Sequence, residues 1–255
     1  MIFLRILITG ARSGIGFNLG KELVNRGHCV YFSTHTINEM KSLKKKLKEE
    51  NIDALCFKID ISTNDINLVN SLKIDILICN AAIGIGGSIL DMNINDIKYN
   101  YDVNVFSTIS LIKKVYNNMK SDNIDGKIFV ISSLAGYFSF PFLGSYSSSK
   151  MALSIIIKSM MKELKYLNNN ISVSLVELGA YKTGFNQVMI DNKEKYGDYE
   201  FINKKQRNMF SKIENKNFSS LNNKLIKNIE SSKPKQYIRV PLLQSFVAKI
   251  YFIFH

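Results

Sequence analysis

The sequence is poor in the residues that divide or staple a chain. Its three prolines and fourteen glycines never gather into a Pro/Gly/Ser-rich linker, and no segment repeats, so residues 1–255 read as one domain. Only three cysteines occur, Cys29, Cys56 and Cys79, each inside an apolar run and none in CxxC spacing. That argues against a disulfide framework and against a metal centre, and buried free thiols fit a reducing, cytoplasmic compartment. No apolar stretch reaches the roughly 18 residues of a membrane-spanning helix. The opening MIFLRILITG is apolar but lacks a small-residue cleavage site and runs into a glycine loop, so it reads as a strand, not a signal peptide.

What the chain does have is an excess of positive charge, +13, on a composition (46% hydrophobic, 22% charged) able to bury a core. The lysines are dispersed except from Lys41 to Lys48, where Leu43 and Leu47 stand at helical spacing. That run reads as the solvated face of an amphipathic helix. No nucleic-acid motif accompanies it, so no nucleic-acid partner is expected. The charge would still attract a phosphorylated cofactor or an anionic substrate.

Strand-like apolar runs are expected over 2–8, 29–33, 54–59, 75–79, 127–131, 171–177 and 237–240, with helical segments between most of them. This alternation predicts an α/β fold: a Rossmann-type doubly wound parallel sheet with helices on both faces and a ligand at the strands' carboxyl ends. The first strand leads into Thr9, Gly10, Ala11, Arg12, Ser13, Gly14, Ile15 and Gly16, and a helix follows to about Asn25. Backbone N–H groups at such a helix start point at an anion, and glycines let it approach. The spacing is GxxxGxG rather than GxGxxG. The second strand ends in Ser33, Thr34 and His35, with no acid to take a ribose 2′-hydroxyl, while Arg12 stands in the loop. That favours NADP(H) over NAD(H). His35 is a candidate contact there, its alternative being an ordinary loop histidine.

The stretch 133–150, SLAGYFSFPFLGSYSSSK, concentrates acid–base chemistry. Tyr146 and Lys150 are four apart and share one face of a helix. A free phenol, with a pKa of about 10, exchanges protons poorly at neutral pH, and a fixed ammonium beside it would lower that value. Ser133 follows the strand KIFVIS and offers a hydroxyl to the oxygen that Tyr146 would protonate. Asn104 falls inside a helical region over about 95–119, where an asparagine usually faces solvent or bonds locally.

In this order the pieces resemble the short-chain dehydrogenase/reductase family from about Phe3 to Thr183. Thr9–Gly16 resembles its TGxxxGIG loop, Asp60 (followed by Ile61) its adenine-contacting acid, and Asn80-Ala81-Ala82-Ile83-Gly84 its NNAG segment. Asn104, Ser133, Tyr146 and Lys150 match its catalytic tetrad. The chain departs from the pattern at Cys79, Ala82 and Leu178, and the linker from Asp60 to Cys79 is short; Gly179 and Thr183 remain. The resemblance implies hydride transfer between a nicotinamide and a carbonyl or alcohol carbon. Ser133 would hold the substrate oxygen, Tyr146 would be the general acid, and Lys150 would bind the ribose and lower the phenol's pKa. Asn104 would hold a relay water, Thr183 the nicotinamide amide, and Asn80 would bind near the ribose through its backbone or side chain. The resemblance also implies a homodimer or homotetramer.

An apolar substrate is expected, because Phe138, Phe140, Phe142, Leu143, Phe185 and Met189 fall where a pocket would form, the alternative being that they are ordinary core. Residues 185–217 look irregular, with apolar anchors at Phe185, Met189, Tyr196, Tyr199, Phe201 and Phe210, as in a substrate-binding loop or lid. Residues 241–255 carry an apolar helical stripe of Leu242, Leu243, Phe246, Val247, Ile250 and Tyr251. It would dock on the domain or a partner subunit, or lie on a membrane surface. Two other readings are a non-catalytic dinucleotide sensor, which would be expected to lose Tyr146 or Lys150, and a peripheral membrane protein acting through its tail.

Overall fold

Alternating apolar residues on strands buried from both sides generate the sheet. In the computed structural model, which describes residues 3–63, 65–167, 170–191, 196 and 200–254, the strands are β1 (Arg5–Ile8), β2 (Cys29–Thr34), β3 (Leu55–Lys58), β4 (Ile76–Cys79), β5 (Lys127–Ser133), β6 (Ser172–Leu178) and β7 (Tyr237–Val240). All pair in parallel, in the order β3-β2-β1-β4-β5-β6-β7. The predicted strands lie within three residues of these limits; Ile2 of the first run and Tyr199 of the 185–217 segment lie outside the described residues. Cys29, Cys56 and Cys79 each sit on a strand.

Successive strand residues feed opposite faces, as the period of two demands. Ile6, Ile8, Phe32, Ile78 and Phe129 pack under Leu19 and Leu23 of α1 (Gly14–Asn25) and Leu221, Leu225 and Ile229 of α8 (Ser219–Ile229). Leu7, Leu77, Ile128 and Val130 pack under Leu111 and Val115 of α4 (Thr108–Ser121) and Leu153 and Ile157 of α5 (Gly144–Glu163). Helix α2 (Ile37–Glu49) buries Leu43 and Leu47 and turns its lysines outward, as their spacing predicts.

The structure corrects the reading in three places. The helical region near 95–119 is α3 (Ile94–Tyr101), a π-helical turn (Asp102–Ser107) and α4, so Asn104 sits in a widened turn. The segment read as irregular contains α6 (Phe185–Asp191) and α7 (Glu200–Ile213), whose Met189, Ile190 and Phe210 are buried; its many polar residues hide the periodicity. Helix α8 was not anticipated, although Leu221, Leu225 and Ile229 stand at helical spacing. The tail forms α9 (Leu242–Phe254). No helix among the described residues is long and apolar enough to cross a membrane.

Candidate active site

Strand order reverses at β1 and β4, and diverging connections there open a crevice at the carboxyl ends. The glycine loop lies on one side of it. Gly10 has φ +62°, and a Cβ on it would come within 2.7 Å of the Ala81 Cα. Gly14 also has φ +62° and lies against Thr183, where a Cβ would meet the Thr183 Cβ at 3.1 Å. Only glycine adopts this backbone cheaply while letting β4's exit and Thr183 approach. The Thr9 hydroxyl accepts the Asn80 and Ala81 N–H groups at 3.0 Å, and Asn80 Nδ2 donates to the Thr9 and Gly10 carbonyls at 2.9 and 3.0 Å. The side chain expected near a ribose is therefore engaged in shaping the loop. Gly16 serves packing rather than the crevice: a Cβ there would strike Asn80 Nδ2 at 2.7 Å.

The opposite wall holds the acid–base residues. Ser133 ends β5, and its Oγ accepts the Ala135 N–H at 3.1 Å, fixing the turn that follows. Tyr146 and Lys150 lie one turn apart on α5, and both are buried. Burial raises the Tyr146 pKa to about 12, while the Ser133 hydroxyl pulls it down. Burial lowers the Lys150 pKa to about 8. Its ammonium donates to the Ile131 carbonyl at 3.3 Å, and the buried Cys79 thiol beside it is pushed well above its ordinary value, so it stays neutral and supplies no counter-charge. The expected lysine-lowered phenol is therefore corrected: in this arrangement, loss of solvent dominates both groups.

Asn104 is fully buried rather than solvent-facing. Its Oδ1 accepts the Ile83 N–H at 2.9 Å, and its Nδ2 donates to the Ile83 carbonyl at 2.9 Å and to Ser149 Oγ at 3.0 Å. Asn100, one turn earlier, repeats the pattern: it exchanges hydrogen bonds with Ile85 N–H and carbonyl and donates to Ser145 Oγ at 2.7 Å. Two asparagines four apart thus lace the chain leaving β4 to two serines four apart. Those serines immediately precede Tyr146 and Lys150. Asn100, Ser145 and Ser149 were missed from the sequence; the matching i, i+4 spacings NxxxN and SxxxS are the signal that could have found them.

A cavity of about 1190 Å³ joins the two walls. Gly10, Arg12, Ser13, Gly14, Ile15, His35, Asp60, Ile61, Asn80, Ala81, Ala82, Ser133, Tyr146, Lys150, Gly179 and Thr183 line it; Gly16 and Asn104 do not. Arg12 is 59% exposed and lies 3.5 Å from Glu39, whose other oxygen accepts the His35 and Thr36 N–H groups. His35 Nε2 lies 3.8 Å from Asp60. Burial opposes ionisation of Asp60, but hydrogen bonds from Ser62 outweigh it and hold the carboxyl below its ordinary pKa. Phe138, Phe140, Leu143, Phe185 and Met189 form apolar wall, whereas Phe142 turns away from the lining. Helix α9 supplies unpredicted roof residues, Leu243, Gln244 and Val247. Gln244 Oε1 accepts the Ala180 N–H at 3.0 Å, in space that a Cβ on Gly179 would fill.

The volume exceeds that of an ordinary small-ligand pocket, roughly 300–1,000 Å³. With a glycine cradle opening a helix at one end and buried proton donors at the other, the residues fit a dinucleotide plus a substrate.

A family profile described as short chain dehydrogenase matches residues 5–194. The Helicobacter pylori protein named "Probable short-chain type dehydrogenase/reductase VdlC" is 32% identical over 198 residues, covering 74% of this chain and 69% of that one. A Bacteroides thetaiotaomicron protein named 3-ketodihydrosphingosine reductase is 29% identical over 221 residues, covering 80% and 77%. A short chain dehydrogenase/reductase structure from Burkholderia phymatum, in complex with NAD, superposes with a TM-score of 0.81 at 18% identity, covering 97% and 92%.

Proposed function

The chain belongs to the short-chain dehydrogenase family, a family of oxidoreductases using a nicotinamide dinucleotide, and from this we propose that it is an NADP(H)-dependent reductase of an apolar, lipid-like ketone. The observation that carries the reading is the convergence of buried Tyr146 and Lys150 with half-buried Ser133 on a cavity that begins at the glycine loop. The nicotinamide, when bound, supplies the hydride that adds to the carbonyl carbon. Gly10, Ser13, Gly14 and Ile15 would hold its phosphates, Asp60 and Ile61 the adenine end, and Thr183 and Lys150 the nicotinamide end. Ser133 would orient the carbonyl oxygen. Tyr146 would protonate it as general acid. The Lys150 ammonium would then offset the phenolate left behind. Asn100 and Asn104 would act as positioning residues through Ser145 and Ser149.

Arg12, exposed at the cavity edge, supports preference for a 2′-phosphate. The aromatic and aliphatic wall, together with the relative named for a ketosphingoid base, supports a long-chain ketone. Helices α6 and α7 would close over it, in a homodimer or homotetramer.

The test is oxidation of NADPH and NADH by wild type and Tyr146→Phe against short- and long-chain ketones, with NADPH binding followed by fluorescence. Wild type is expected to prefer NADPH. Tyr146→Phe should lose on the order of 10²–10⁴ in kcat while still binding NADPH. Equal turnover by both proteins with every ketone would refute the assignment.

A further inference from the structure

Helix α9 is built inside out. A helix docked on a soluble domain normally turns its apolar stripe inward. Here the two residues that the protein covers almost completely are small, Ser245 at 5% and Ala248 at 0% exposure. Leu242, Leu243, Phe246, Val247 and Ile250 recur at i, i+1, i+4, i+5 and i+8 and are between 41% and 75% exposed. The helix is nevertheless anchored: Gln244 bonds Ala180 and the Ile213 carbonyl, Tyr251 packs on Phe138, and Phe252 meets the Tyr137 ring edge-on. Its outward face is thus held in a fixed orientation.

We propose that this face docks the protein on an anionic lipid surface, with the mouth of the active-site cavity against the bilayer. Two observations select lipid. First, Leu243 and Val247 belong both to the exposed stripe and to the cavity lining, beside Val188 and Ile213, which line the mouth while 54% and 40% exposed. A second copy seated on α9 would cover the mouth. A fluid acyl surface covers the same side chains and still delivers an apolar molecule to it. Second, the one charged side chain of α9 is the exposed Lys249, with no acid on the helix, and exposed Lys212 lines the mouth. Cations flanking a shallow apolar stripe are what anionic headgroups attract. The delivery of substrate rests on the reductase reading; the docking does not.

The probe is co-sedimentation of the full chain with phosphatidylglycerol/phosphatidylcholine vesicles against phosphatidylcholine vesicles alone. Binding is expected to the former and to weaken with salt. In the triple variant Leu242→Ser, Phe246→Ser, Ile250→Ser, which leaves the cavity lining intact, partition should fall at least about tenfold. Its NADPH oxidation with a short water-soluble ketone and its size by light scattering should not change. The chain contains no tryptophan, so Phe246→Trp gives a single reporter whose emission should shift to the blue on addition of anionic vesicles. Wild type left in the supernatant, an unshifted reporter, or a triple variant that sediments like wild type would each overturn the proposal. So would a triple variant reduced in subunit number, because the face would then join copies of the chain. Vesicle binding without any ketone reduction would sink only the reductase reading.

Discussion

Replacing Lys150 by methionine should stabilise the protein while disabling it. Burial drags the lysine pKa from 10.5 to about 8, so at neutral pH the native state carries a charge it holds poorly. A gap of about 2.5 between the two values corresponds to an upper bound of about 3 kcal/mol. The hydrogen bond to Ile131 returns about 1 kcal/mol of that, leaving Lys150→Met about 2 kcal/mol more stable at pH 7. For a chain of this length that is about 4–8 °C in Tm. The penalty is fully present below about pH 8. Between pH 8 and 10.5 the unfolded chain binds the extra proton, so wild-type stability rises with pH and the variant's margin closes. Wild-type ketone reduction should fall as pH rises through about 8, where the native Lys150 loses its charge and the phenolate its counter-charge. Urea unfolding of both proteins at pH 7, 9 and 10.5 measures the margin. A less stable variant at pH 7, or a margin that ignores pH, would refute the reasoning.

Three further outcomes follow from particular contacts. Asn100→Ala should cost about 2–4 kcal/mol in urea unfolding, because the Ile85 N–H and carbonyl lose their partner; kcat should fall with NADPH affinity largely kept. Gly10→Ala forces a left-handed backbone and drives a methyl to within 2.7 Å of Ala81, so nucleotide titration should show at least about tenfold weaker binding. Glu39→Gln preserves the capping bond to Thr36 but removes the carboxylate beside Arg12, so the NADPH-to-NADH ratio of kcat/KM should rise on the order of fivefold.

Much of the architecture was legible because it is written in short periods. Runs such as KIFVIS, together with the TGARSGIG turn, need only their neighbours to be recognised, and the i, i+4 spacing of Tyr146 and Lys150 already places them on one helical face. The dense polar residues of 185–217 concealed two helices, since tertiary packing of Met189, Ile190 and Phe210 outweighs a weak local pattern. Asn104 looked like an ordinary helical asparagine because its partners, Ile83 and Ser149, lie 21 and 45 residues away.

By itself, then, the sequence determined the parallel α/β sheet, the glycine loop and the identity of the groups that could move a proton. Only the tertiary structure decided their protonation, because a pKa answers to how much water and which charges surround a group, and Tyr146 and Lys150 lose their solvent only when α5 packs over the sheet. It likewise decided the fate of the apolar tail. A hydrophobic stripe states that a face avoids water, but which way it points depends on where Gln244 and Tyr251 anchor the helix, and here they turn it outward beside the cavity mouth.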